Sequence, residues 1–179
     1  LTARAGSGYA FSTQSGDLRV GFGSINQGEH DVDGKDHSAI VDGVRKFTGE
    51  DRKNFYDSLY KRDIPNAGTP LRSALNEVGE YYSRKDNRGP WGEEPGSDVD
   101  EDHLICRRNY TVLMTDGYWS GSNVSGGPGD NNDGTDKPSH TGPAGQSYTY
   151  KAASPFKDNE DDTLADVAMY YWKNDLRDD

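Results

Sequence analysis

The run Tyr-Thr-Val-Leu-Met-Thr at 110–115, broken off by Asp116-Gly117, constrains the fold of this chain more than any other part of its sequence. Large apolar and β-branched side chains follow one another there without polar alternation, the pattern of a strand buried on both faces. Such a strand belongs in the middle of a largely parallel sheet with helices on either side. A carboxylate stranded at its end costs several kcal/mol unless it is paired or hydrated. Asp116 is therefore either a turn residue whose carboxylate accepts backbone amide hydrogens, with Gly117 supplying the permissive backbone, or the holder of a partner at the carboxyl end of the sheet, where ligands of such folds collect.

The flanking sequence supplies the other layers. Leu18, Val20, Phe22 and Ile25 alternate with small residues as a further strand, whose glycines admit a close neighbour. The acidic stretch 26–39 reads as a loop, with Asp31, Asp33 and Asp36 as solvated turn residues or cation chelators. Thr48 and Asp51 have the spacing of a capping box and open a helix bearing Phe55, Leu59 and Tyr60. A second helix starts with Thr69 as N-cap and Pro70 at the first helical position, and carries Leu71, Ala74, Leu75, Val78 and Tyr82 as one stripe. Thr163 and Asp166 form another capping box, and Leu164, Val167, Ala168, Tyr171 and Leu176 give the last helix a face to lay on a sheet. Tyr170, Tyr171 and Trp172 read as core. The order strand, helix, helix, strand, long insertion, helix predicts an α/β domain with a largely parallel sheet flanked by helices. Polar insertions are expected at about 84–104 and 118–161.

Composition narrows the function. Of 179 residues 31% are hydrophobic, enough for one core with long loops. The net charge of -11 and the scattered basic residues exclude a nucleic-acid partner, which needs clustered Lys and Arg. No run approaches the ~20 apolar residues of a membrane span, and no signal peptide opens the chain. Leu1 in place of Met reads as a piece of a longer precursor. The one cysteine, Cys106, is either a small buried hydrophobe or half of a bridge to a segment outside the chain. His30, His37, His103 and His140 show no pair at zinc-ligand spacing. The run "GDNNDGTD" at 129–136 looks like a calcium loop, but its glycine and oxygen donors do not fall at EF-hand positions. A hydrolase finds no nucleophile motif, no phosphate loop and no acid/base pair to rest on. That class and a structural spacer in a larger surface protein are the alternatives to a binding module.

A hard divalent cation, Mg2+, Mn2+ or Ca2+, takes carboxylate and hydroxyl oxygens, and Asp116 and Thr69 offer one of each from different loops. The strand ending "LMTDG" after a helix introduced by "AGTPLRSAL" resembles a von Willebrand factor A domain. The resemblance implies a Rossmann-type sheet, with Thr69 and Asp116 as ligands of a metal-ion-dependent adhesion site, Asp116 through water. That family takes its other ligands from an Asp-x-Ser-x-Ser motif on its first strand. The motif is absent here, so residues 1–179 are expected to be a partial domain whose first strand lies outside the chain.

A narrower likeness covers most of the sequence. "RVGFGSIN", "GVRKFTGEDRKNFYDSLY", "GTPLRSALNEVGEYY", "CRRNYTVLMTDGYW" and "SPFKDNEDDTLADVAMYYWKNDLR" together are similar to the N-terminal region of PilY-type type IV pilus assembly proteins. The resemblance implies a secreted, non-enzymatic factor at the pilus tip, associated with the outer membrane. It implies priming of assembly with minor pilins, attachment to a host or surface receptor, and surface sensing. The C-terminal β-propeller of that family, with its calcium site, is absent from this chain. Tyr118 and Trp119, next to Asp116, are expected either to contact a partner or to cover the end of the sheet.

Overall fold

The computed structural model describes residues 2–100, 102–104, 106–142 and 144–177. Helix α1 (Thr2–Ser12) leads into β1 (Arg19–Gly23), a hairpin of β2 (His30–Val32) and β3 (Lys35–His37), and β4 (Ile40–Lys46). Helices α2 (Gly49–Lys61) and α3 (Leu71–Tyr82) follow. A single 3-10 turn (Gly127–Gly129), a small hairpin of β5 (Ser139–Thr141) and β6 (Ser147–Thr149), and helix α4 (Leu164–Lys173) complete the order.

β1 and β4 pair antiparallel, Arg19 opposite Lys46 and Phe22 opposite Asp42. The glycines of β1 do admit a close neighbour: a Cβ on Gly23 would stand 2.9 Å from the Ala39 carbonyl oxygen. Two apolar clusters grow from this ladder. Phe47, Phe55 and Leu59 are buried beneath Phe11, Val20, Phe22 and Tyr56, joining α1 and α2 to one face. Phe47 and Phe55 meet edge to face, 5.3 Å between ring centres, and each such fully buried ring contributes about 1.5–3 kcal/mol. On the other side Val32, Ile40, Val44 and Tyr81 pack with Val78 and Tyr82 of α3.

Polar bonds fasten α3 to this core. The Tyr81 hydroxyl accepts the Val44 N–H at 2.9 Å and donates to Asp33 at 3.0 Å. Asp33 in turn pairs with Arg45, so it is a structural anion and not a chelator. Glu77 closes the start of β4: its Oε1 accepts the N–H groups of Ser38, Ala39 and Ile40 at 3.0, 2.8 and 3.1 Å. Its Oε2 accepts the Ser38 hydroxyl at 2.8 Å.

The expected largely parallel, Rossmann-type sheet of a von Willebrand factor A-like domain is overturned. All three ladders among the described residues are antiparallel and two-stranded. Residues 110–115 join none of them, and Tyr110 and Val112 are 76% and 82% exposed. The apolar run shows a demand for burial, but a strand forms only against a second backbone edge, and no described segment offers one. The acidic stretch 26–39 holds the β2–β3 hairpin, with Asp31 opposite Asp36.

The helices agree with the sequence in place more than in detail. Thr48 caps α2 by position without a side-chain bond, and α3 takes Pro70 as its N-cap, leaving Thr69 just outside. The Thr163–Asp166 capping box is formed in full. However, α4 lies against α3 and the 3-10 turn, not on a sheet. Gly79 makes that contact: a Cβ there would fall 2.3 Å from the Tyr171 ring. Trp172, expected in the core, is exposed. No helix of the described residues is long and apolar enough to cross a membrane.

Two outcomes follow from these joints. Burial alone would raise the Glu77 carboxyl, but the Ala39, Ser38 and Ile40 donors outweigh it and hold it below the ordinary carboxylate value. Its stabilisation is thus complete above the unfolded value of about 4.3 and is lost as pH falls through the lower folded value. Glu77→Gln is expected to cost about 1–3 kcal/mol at neutral pH and to flatten the acid limb of the urea midpoint; a variant with the wild-type acid limb would refute this. Gly79→Ala is expected to lower the melting temperature by pushing Tyr171 off α3, which thermal unfolding followed by tyrosine absorbance would report.

Candidate functional site

Residues 108–119 run over the surface as an exposed strip, with Tyr110, Val112, Met114, Tyr118 and Trp119 open to solvent. Its far end is pinned to the start of α3. The Thr69 N–H donates to Ser120 Oγ at 2.7 Å, and the Ser120 N–H donates to the Thr69 carbonyl at 2.9 Å. Ser120 fits against Gly68, where a Cβ would stand 2.5 Å from its hydroxyl oxygen.

Arg72 provides the second hold. Its side chain is buried and reaches the carbonyls of Asp162 at 2.5 Å and Gly121 at 3.1 Å. Its guanidinium lies 4.2 Å from the centre of the Trp119 ring. A cation against an indole face in such a half-dry setting is worth about 1–2 kcal/mol. The exposed Tyr118–Trp119 apex therefore stands on a fixed base. Closer to α1, the Ser7 hydroxyl touches Met114 Sδ at 3.6 Å.

Of the residues named from the sequence, Thr69 comes beside Ser120, and Tyr118 and Trp119 are exposed. Thr69 meets Ser120 through its backbone alone, so its hydroxyl is not consumed by that contact. Asp116 is exposed at a turn where the Gly117 N–H donates to Thr115 Oγ1 at 3.2 Å and Gly117 takes a φ of 106°. Thr69 and Asp116 are oxygen donors of the kind a hard cation takes. Among the described residues no three His, Cys, Asp or Glu side chains stand close enough to hold a metal ion. Cys106 is exposed and unpaired, not a small buried hydrophobe.

Sequence reasoning passed over Arg72 and Ser120, which order the strip. Arg72 sits between Leu71 and Ala74 on an amphipathic helix and looks like a solvated face residue; nothing local says that it turns inward to two carbonyls. A polar cleft of about 510 Å³ between β3, α3 and residues 123–125, lined by His37, Asn76 and Glu80, also went unseen. His37 Nδ1 lies 3.3 Å from Glu77 there.

Comparison with known proteins gives a consistent outcome. No protein-family model matches the chain, and no solved structure matches it. The type IV pilus biogenesis factor PilY1 of Pseudomonas aeruginosa strain PAO1 is 32% identical over 182 residues, covering 100% of this chain and 15% of that protein. PilY1 of strain PAK is 30% identical over 179 residues, covering 100% of this chain and 14% of that protein. In strain UCBPP-PA14 the figures are 28% over 177 residues, 99% and 14%. The chain thus spans about one seventh of the length of these curated relatives. From end to end, it is homologous to one segment of PilY1, a type IV pilus biogenesis factor.

Proposed function

We propose that this chain is a non-enzymatic module of type IV pilus biogenesis at the bacterial cell surface, presenting its exposed strip to a partner at the pilus tip. The observation that carries the reading is the similarity to PilY1 along the whole chain. The strip supports it physically. Aromatic and apolar side chains held rigidly in water anchor interfaces at low entropic cost; Trp119 is held by Arg72, and the adjoining Ser120 is pinned to Thr69. The partners that suit this role are minor pilins of the tip complex and a host or surface receptor, with assembly, attachment and surface sensing as its outputs. Thr69 and Asp116 supply a hydroxyl and a carboxylate to a divalent cation, Mg2+, Mn2+ or Ca2+, that the partner's own oxygens help to hold.

The test is made in cells whose only copy is the full-length protein. Replacing Tyr118 and Trp119 together by Ser is expected to reduce surface pili or attachment severalfold while secretion of the protein persists. Asp116→Ala is expected to remove the dependence of attachment on divalent cations. Wild-type piliation and attachment in both variants would reduce the chain to a spacer. Hydrolysis of phosphoester or peptide substrates by the purified protein, lost in Asp116→Ala, would make it an enzyme.

A further inference from the structure

The dipeptide Asp-Gly occurs at 33–34, 42–43, 116–117 and 133–134. In such a pair the glycine nitrogen can attack the aspartate's own side-chain carbon. A five-membered ring closes there, and glycine has no Cβ to shield its nitrogen or stiffen its backbone. The attack needs a free carboxyl group and a main chain able to turn towards it. The fold withholds these at every pair but one.

Asp33 is held by Arg45 and by the Tyr81 hydroxyl, and Gly34 lies in the turn closed by the Val32–Lys35 pair. Asp42 and Gly43 lie inside β4, with Asp42 opposite Phe22 of β1. The space around Gly43 is filled: a Cβ there would fall 2.1 Å from Asp33 Oδ2. Asp133, in the acidic loop 130–136, is 1% exposed, and the Gly134 N–H donates to Asn131 Oδ1 at 2.7 Å. Each of these pairs must open locally before it can react.

Asp116 and Gly117 stand in water on the exposed strip. Gly117 has a φ of 106°, and a Cβ built on it would meet nothing within 4 Å. Its N–H donates to Thr115 Oγ1 at 3.2 Å, a bond that water replaces at a cost of about 1 kcal/mol.

We propose that Asp116-Gly117 is a site of covalent self-modification, rearranging to isoaspartate while the other Asp-Gly pairs of the folded chain stay intact. The Gly117 nitrogen bonds to Asp116 Cγ, and the carboxyl hydroxyl leaves with the amide hydrogen as water. The resulting imide takes water back at either carbonyl. Opening at Cγ restores aspartate. Opening at the main-chain carbonyl breaks its bond to the Gly117 nitrogen and leaves the chain running through Cβ and Cγ. Mass is unchanged, and the backbone gains one methylene between Thr115 and Gly117. Arg72 holds Trp119, and Thr69 holds Ser120, so the added length re-aims the free run 110–115 against a fixed base. The modification requires only water and stands whether or not the strip meets a pilus partner.

Peptide mapping of the purified full-length protein after long incubation at neutral pH tests this, since an isoaspartyl peptide separates from its parent at equal mass. Isoaspartate is expected to accumulate in the peptide holding residue 116 about tenfold or more faster than in those holding residues 33, 42 and 133, which react only on opening. That preference is expected to vanish in urea, where every pair is free. Asp116→Asn is expected to form the same imide severalfold faster, with ammonia leaving in place of water, and so to gain mass. Asp116→Glu, whose ring would be six-membered, is expected to stay unmodified. Equal rates at all the pairs in the folded protein overturn the proposal. So does a preference for residue 116 that persists in urea, or an Asp116→Asn protein that keeps its mass.

Discussion

The carboxylate of Glu77 is the joint on which the arrangement rests. Four donors from the β3–β4 corner converge on it, so the position of α3 relative to β4 is set by geometry as well as by apolar contact. The strip and α4 then take their places from α3. Arg72 at its first turn holds Trp119 and residues 121 and 162. Gly79 in its middle receives Tyr171 of α4, whose hydroxyl donates to Asn76 Oδ1 at 2.8 Å. Tyr81 at its end reaches into β4. One helix thus couples the aromatic core, the exposed strip and the acidic loop.

Helices α2, α3 and α4 were legible in the sequence because their signals are local, whereas α1 was not read and, of the three caps expected, only that of α4 formed by side chain. Leu71, Ala74 and Val78 recur at helical spacing whatever lies around them, and the Thr163–Asp166 box is complete within four residues. The fate of 110–115 was not legible, since a run of apolar residues states a need for burial and says nothing of what will cover it. The hairpin at 30–37 was hidden for the opposite reason. Its residues are nearly all polar, and only the close Val32–Asp33-Gly34–Lys35 turn, with φ values of 59° and 78° at Asp33 and Gly34, marks it.

Of the candidate site, the chemistry was readable and the scaffolding was not. Tyr118, Trp119 and Asp116 stand out beside an apolar run, and all three are exposed. Arg72 and Ser120 act at a distance along the chain of 47 to 90 residues from the groups they hold. No spacing rule reaches that far. Asp133 shows the same limit: it reads as one more solvated acid in "GDNNDGTD", and only the fold reveals that Tyr150, Asp158 and Lys173 close water away from it.

The strip also has a colloidal side. An extended run of β-branched and aromatic residues left in water is the kind of segment that pairs with its own copies. Here it sits on a polyanion of net charge -11, with Asp116 at its end, so copies that approach strip to strip also bring like charges together. That repulsion reaches only about 8 Å at physiological ionic strength and about 3 Å at 1 M salt. Salt thus sets how near two strips can come, and the molecule's acidity acts as a built-in spacer that keeps the same surface free for a partner of different charge.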